Sequence, residues 1–196
     1  MLYITFKILD ASKFNDFQKI YDHMVMVRQP NFKFEDNGPE IDWDAKKTQE
    51  EVDGALEELN YYLDNDPEVI RYNEIIPDYV TSFLEQYIDA YNEKLNLLGI
   101  QEVQSIFNYL EHGFEVDLNS LETTSSDCGI VKFSTANFPF GGIERFLITL
   151  KAYDILPLEC YDGFSICKIV WNTDISFDFI TLDAKTEAYK KNKAIK

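Results

Sequence analysis

Basic residues are scarce in this chain. Lys and Arg number 18 against 35 Asp and Glu in 196 residues, a formal charge of −17. So negative a surface repels nucleic-acid backbones and anionic lipid, and neither is an expected partner. Histidine is scarcer still, with His23 and His112 far apart in the sequence. Nucleophilic catalysis usually needs a base beside the nucleophile, most often His, and zinc needs clustered Cys and His. Two isolated histidines satisfy neither, so the sequence leans away from catalysis and calls for no metal and no cofactor. Cysteine is limited to Cys128, Cys160 and Cys167, with no C-x-x-C. That count suits reduced thiols in a cytoplasmic protein rather than a disulfide framework. No G-x-S-x-G, G-x-x-x-x-G-K or G-x-G-x-x-G occurs, which leaves hydrolase elbows, P-loops and dinucleotide turns without support. Missing too is the run of roughly 18–20 apolar residues that spans a bilayer. Residues 1–9 are apolar, but Lys7 interrupts them and no small-residue cleavage site follows, so they read as a first strand, not a signal peptide.

What is present is apolar and aromatic: 45% and 15% of the residues. That suffices for a buried core in one domain, 1–196. Residues 2–9 alternate as a strand. Phe14, Phe17, Tyr21 and Met24 then repeat at helical spacing, with Asp10 or Ser12 as N-cap and Pro30 as the limit. An extended piece is expected over 31–35. Thr48 and Glu51 have capping-box spacing, and Val52, Ala55, Leu56, Leu59 and Leu63 form the expected buried stripe of the helix that follows. Pro77 opens the longest expected helix, striped by Val80, Phe83, Leu84, Tyr87, Ile88, Tyr91, Leu95 and Leu98 and stopped by Gly99. Another helix covers about 101–112. Beyond it the period changes, with strands at 114–118 and 129–133 around a Ser/Thr-rich loop. A helix over 143–153 stops at Pro157, strands follow at 158–161, 164–171 and 175–182, and the basic tail forms a last helix. Helices segregated from hairpin-linked strands predict an α+β fold. Its mainly antiparallel sheet joins the N-terminal strand to the C-terminal strands, packed against a layer of four to six helices. The acidic helical block, about 35–113, is inserted between the first strand and helix and the later strands.

The candidate ligand sites are few. Asp64, Asp66 and Glu68 occupy the first, third and fifth positions of a calcium loop, but Val69 and Ile75 stand where Gly and Glu are required. Gly141 and Gly142 precede a helix and could offer backbone N–H groups to an anion, with Glu144 and Arg145 one turn inside. With nearby tyrosines these residues mark a pocket between sheet and helices, the site of an alternative small-ligand or enzymatic reading.

The acidic block is the strongest signal. Residues 35–127 hold 24 Asp and Glu against four Lys and Arg. Asp78, Glu85, Asp89 and Glu93 fall on one strip, opposite the apolar stripe. Asp53–Glu57, Glu85–Asp89 and Asp89–Glu93 are like-charge pairs four residues apart, each costing a helix about 0.2–0.5 kcal/mol. Asp42 and Asp44 flank Trp43 in the preceding loop, and Tyr61 and Tyr79 are expected outside the apolar stripes. Aromatics among charges are typical interface anchors. The sequence therefore points to a non-enzymatic protein-binding module that engages a basic protein partner. One concrete version is an inhibitor or immunity-type protein that covers the basic cleft of a nuclease or similar toxin. The competing explanation is that the charge serves solubility alone.

Overall fold

Alternation of Leu2, Ile4, Phe6 and Ile8 with Tyr3, Thr5 and Lys7 produces β1 (Leu2–Ile8), apolar on one face and mixed on the other. The computed structural model describes residues 1–34, 38–135 and 143–194. It places β1 in the middle of a six-stranded antiparallel sheet. The other strands are β2 (Asp117–Thr123), β3 (Cys128–Ser134), β4 (Ile155–Tyr161), β5 (Ile166–Trp171) and β6 (Phe177–Thr181), in the order β2-β3-β1-β4-β5-β6. Ile4 opposes Val131 on one side and Cys160 on the other, so both neighbours of the first strand come from more than 100 residues further along the chain. Gly129 sits opposite Phe6, and a side chain there would meet the Phe6 ring at 2.5 Å.

The apolar face of the sheet carries the helices. α1 (Ala11–Val27) starts at Asp10, whose carboxylate accepts from the amides of Ser12 and Lys13. Phe17 on α1 meets Phe146 and Tyr153, the first from α7 (Ile143–Ala152), at 6.4 and 5.6 Å. Between α1 and β2 run α2 (Gln49–Asp64), α3 (Pro67–Ile75), α4 (Asp78–Ala90), α5 (Asn92–Asn96) and α6 (Val103–Asn108), which ends in a π-helical turn, Tyr109–Gly113. The opposite face of the sheet is partly covered by α8 (Asp183–Ala194). Tyr189 lies 5.9 Å from Tyr3 and 4.8 Å from Tyr161, and Lys185 pairs with Glu159. Because Tyr3 alternates with Leu2 and Ile4, it must face away from the main helical layer, and α8 shelters it there.

Several expectations change. The helix expected from Pro77 to Leu98 breaks at Tyr91 (φ −119°, ψ 21°), leaving Leu98 exposed beyond α5. No Pro or Gly marks that break. Turning the chain there seats Leu95 in the core. β2 runs on to Thr123, so the Ser/Thr-rich loop shrinks to 124–127: pairing with β3 overrides weak local strand propensity. Pro157 stops no helix but lies within β4, next to the register shift between Thr5 and Phe6, where a missing N–H is tolerated. The piece at 31–34 forms no strand, and Glu35 is outside the described residues. On α2 only Ala55 is buried. Val52 and Leu59 are half-buried, and Leu56 and Leu63 are 42% and 56% exposed.

Tyr153 is fully buried, and its hydroxyl has no hydrogen-bond partner among the described residues. An unsatisfied buried hydroxyl costs about 1–3 kcal/mol. Tyr153→Phe removes it without changing the ring. The midpoint of urea unfolding should therefore stay the same or rise, and a clear fall would show that the hydroxyl has a stabilising partner.

Candidate functional site

The acidic side chains singled out in the sequence occupy the outer positions of their helices. Asp53 and Glu57 are exposed on α2, Asp78, Glu85 and Asp89 on α4, and Glu93 on α5. Asp42 and Asp44 are exposed around a 3-10 turn, Trp43–Ala45, which Asp42 caps by accepting from Asp44 and Ala45 amides. Among the described residues none of these eight carboxylates makes an ion pair. The break at Tyr91 removes Glu93 from the strip of Asp78, Glu85 and Asp89, and with it the helical Asp89–Glu93 pair. The Asp53–Glu57 and Glu85–Asp89 pairs remain within single helices. The last turns of α2 and α4 contain no basic residue, and Asp64 and Asp89 stand there against the helix dipole.

The aromatic positions divide. Tyr61 is 73% exposed and Trp43 46%. Tyr79 is half-buried, which corrects its place among the exposed anchors. Its hydroxyl donates to Asp16 at 3.2 Å, Lys13 lies over its ring, and its ring meets Tyr153 edge-on. These contacts, with Asp16 and Lys13 of α1 and with Tyr153 just past α7, turn Tyr79 inward.

Glu85 and Asp89 border an open hollow of about 500 Å³. Glu102, Tyr72, Asn73 and Thr81 also line it, from α3, α4 and the start of α6. The Tyr72 and Thr81 hydroxyls are hydrogen-bonded to each other at 2.6 Å. Glu102 was not singled out in the sequence, because only the fold of α6 against α4 brings it beside Glu85. Three carboxylates around a concave surface suit a cationic side chain. No group of three or more His, Cys, Asp or Glu able to hold a metal occurs among the described residues.

The alternative ligand site is divided as well. Gly141 and Gly142 lie outside the described residues. Glu144 borders a hollow of about 240 Å³ with Tyr87, Tyr91, Lys94, Phe177 and Phe179, between the helices and the edge strand β6. Burial, with Glu144 nearby, pushes the Tyr87 phenol up to about 12. Lys94 reaches Glu144 at 3.4 Å. Arg145 belongs to other surroundings, with its guanidinium 3.5 Å from the centre of the Tyr109 ring.

A buried charge cluster escaped the sequence reading. Glu111, in the π-helical turn, accepts from His23 of α1 at 2.6 Å and from Arg71 of α3 at 3.2 and 3.3 Å. His112 stands 3.7 Å from the same carboxylate, and Phe34 covers the Arg71 guanidinium. Burial alone would raise the Glu111 carboxyl. The His23 and Arg71 hydrogen bonds, with the Arg71 charge, outweigh it and hold the group below its ordinary range. The available signal was position: Glu111 follows Phe107 by four residues on an otherwise apolar stripe, and a carboxylate there needs a partner. The arrangement clamps three helices together.

Cys160 and Cys167 oppose each other on β4 and β5, both as free thiols. Burial pushes the Cys160 thiol up to about 12. Thiolate is the reactive form, so Cys160 should stay unmodified by iodoacetamide at pH 8 until the protein is unfolded. Peptide mapping of native and denatured samples reads this. Native labelling at Cys160 would contradict its burial.

No protein-family model matches this chain, nor does any curated protein or solved structure to which it was compared. No helix among the described residues is long and apolar enough to cross a membrane.

Proposed function

We propose that this chain is a non-enzymatic protein-binding module. The acidic outer positions of its 3-10 turn, α2, α4 and α5 meet a basic protein partner, of the kind an inhibitor or immunity-type protein would cover. The observation that carries the reading is the set of eight exposed carboxylates without an ion pair among the described residues. Local compensation for charge exists elsewhere on the molecule. Lys132 answers Glu122, Lys151 answers Asp174, and Lys185 of the basic C-terminal helix answers Glu159. A collection of like charges builds a field of several kT that speeds and orients the encounter with an opposite charge.

A comparison of two baits tests this: the wild type and Glu85→Lys/Asp89→Lys/Glu93→Lys, each exposed to native cell extract at low salt and at about 0.5 M salt. Specific basic proteins should be retained by the wild type at low salt only. All three positions are exposed, so the circular-dichroism spectrum should not change. Identical recovery on both baits would remove the acidic positions from any binding role.

A second reading, a small-ligand site, is favoured by the hollow that joins Glu144 to Tyr87 and Tyr91 beside β6. Its volume of about 240 Å³ lies below the roughly 300–1,000 Å³ of most ligand pockets, which is why it ranks second.

A further inference from the structure

α2 presents a stripe that the described residues cover only in part. Val52, Leu56, Leu59 and Leu63 stand at i, i+4, i+7 and i+11, one face of a helix over about 16 Å. Such a stripe ordinarily packs inward. Here Leu56 and Leu63 remain exposed, and Val52 and Leu59 are only half-covered. The helix is nonetheless built to stand: Thr48 and Glu51 complete a reciprocal capping box at its start. All six of its charged residues are carboxylates (Glu50, Glu51, Asp53, Glu57, Glu58 and Asp64).

We infer that α2 receives an amphipathic helix of a basic partner, laid along the Val52–Leu56–Leu59–Leu63 stripe, with the partner's Lys and Arg side chains meeting the flanking carboxylates. The inference rests on the proposed acidic-face reading and adds to it the partner's shape. Charge decides the occupant. A second copy would set six carboxylates against six, and an anionic membrane would be repelled in the same way. Leu56 and Leu63 lie one heptad apart, as do Val52 and Leu59, and this spacing matches leucines repeated on a facing helix.

Three peptides of about 18 residues, long enough for a marginal helix that binding can complete, test the inference by fluorescence anisotropy. The first has Leu at heptad positions a and d and Lys at e and g. The second replaces those Lys by Glu. The third has the composition of the first with the period scrambled. The first should bind, the second should not, and the third should bind at least tenfold more weakly. Leu56→Gln/Leu63→Gln should weaken the first by about tenfold or more, with unchanged melting because both positions are exposed.

Equal binding of the first and third peptides, equal binding to wild type and double variant, or no binding at all would overturn the inference. So would a concentration-dependent self-association of the wild type that the double variant loses, because the occupant would then be a second copy. If the first peptide survives Leu56→Gln/Leu63→Gln but is lost with Glu85→Lys/Asp89→Lys/Glu93→Lys, the α2 inference falls and the acidic-face reading stands. If neither variant weakens it, both fall.

Discussion

Glu111→Ala should destabilise the protein by about 3–5 kcal/mol, the usual loss when one member of a buried ion pair is removed. In a thermal melt this is a drop on the order of 10 °C. The Glu111 side chain is fully enclosed, and among the described residues it is the carboxylate that answers both His23 and Arg71. Its removal leaves an imidazole and a guanidinium facing each other across an empty space, on helices α1 and α3 that it had joined. Glu111→Gln keeps the shape and one acceptor for His23 but cannot neutralise Arg71, so its loss should be smaller. The pH dependence follows with a definite sign. The folded carboxyl is held below its ordinary value of 4.5, so the folded protein binds fewer protons than the unfolded chain near that pH. The stability it contributes is complete above about pH 4.5 and declines as pH falls through the folded value. Urea midpoints of the wild type should fall more steeply below pH 4.5 than those of Glu111→Ala. Parallel curves would mean that this carboxylate is no acid-sensitive clamp.

The second large effect is expected at Arg28, just past the end of α1. Its guanidinium donates to four backbone carbonyls: Met24 at 2.7 Å, Leu110 at 2.8 Å, Phe114 at 2.7 Å and Val116 at 3.0 Å. Those carbonyls belong to the last turn of α1, the π-helical turn and the chain leading into β2, where intrahelical partners have run out. Arg28→Ala strands several of them in a half-buried setting and should cost about 3 kcal/mol or more. Arg28→Lys should recover only part of this, because an ammonium lacks the planar fork that reaches four acceptors at once. Hydrogen exchange gives the local test. The Phe114 amide, bonded to the Tyr109 carbonyl, should exchange faster in Arg28→Ala by more than the global loss explains. Unchanged protection there would place the stabilising role of Arg28 elsewhere.

These two clamps show where reading the sequence reaches its limit. Signals confined to a few residues were legible: the Asp10 cap, the Thr48–Glu51 capping box, the proline before α4 and the left-handed Gly99. The alternation of β1 and the loss of helical period after Gly113 sufficed for an α+β fold with an antiparallel sheet. What was not legible depends on residues distant in the chain. Glu111 meets His23 across 88 positions, and neither residue type discloses its partner. The turn at Tyr91 lacks a breaker residue, and only the burial of Leu95 explains it. Tyr79 and Tyr61 look alike by spacing, yet Tyr153, Lys13 and Asp16 cover the first and nothing in the described structure buries the second. The α2 stripe was the reverse case. Its period marked a buried face, but among the described residues only Ala55 of that face is buried.

The central physical claim is that carboxylates crowd the outer helices at a cost to folding that a partner offsets. Its most direct test is the stability of Glu57→Gln/Asp64→Asn/Glu85→Gln/Asp89→Asn, measured by urea unfolding at low ionic strength. These changes relieve two like-charge helical pairs and two acids at helix C-termini, each worth a few tenths of a kcal/mol. The account predicts a variant more stable than the wild type, with the gap closing as salt is added. A variant less stable than the wild type, or a gap indifferent to salt, would contradict it.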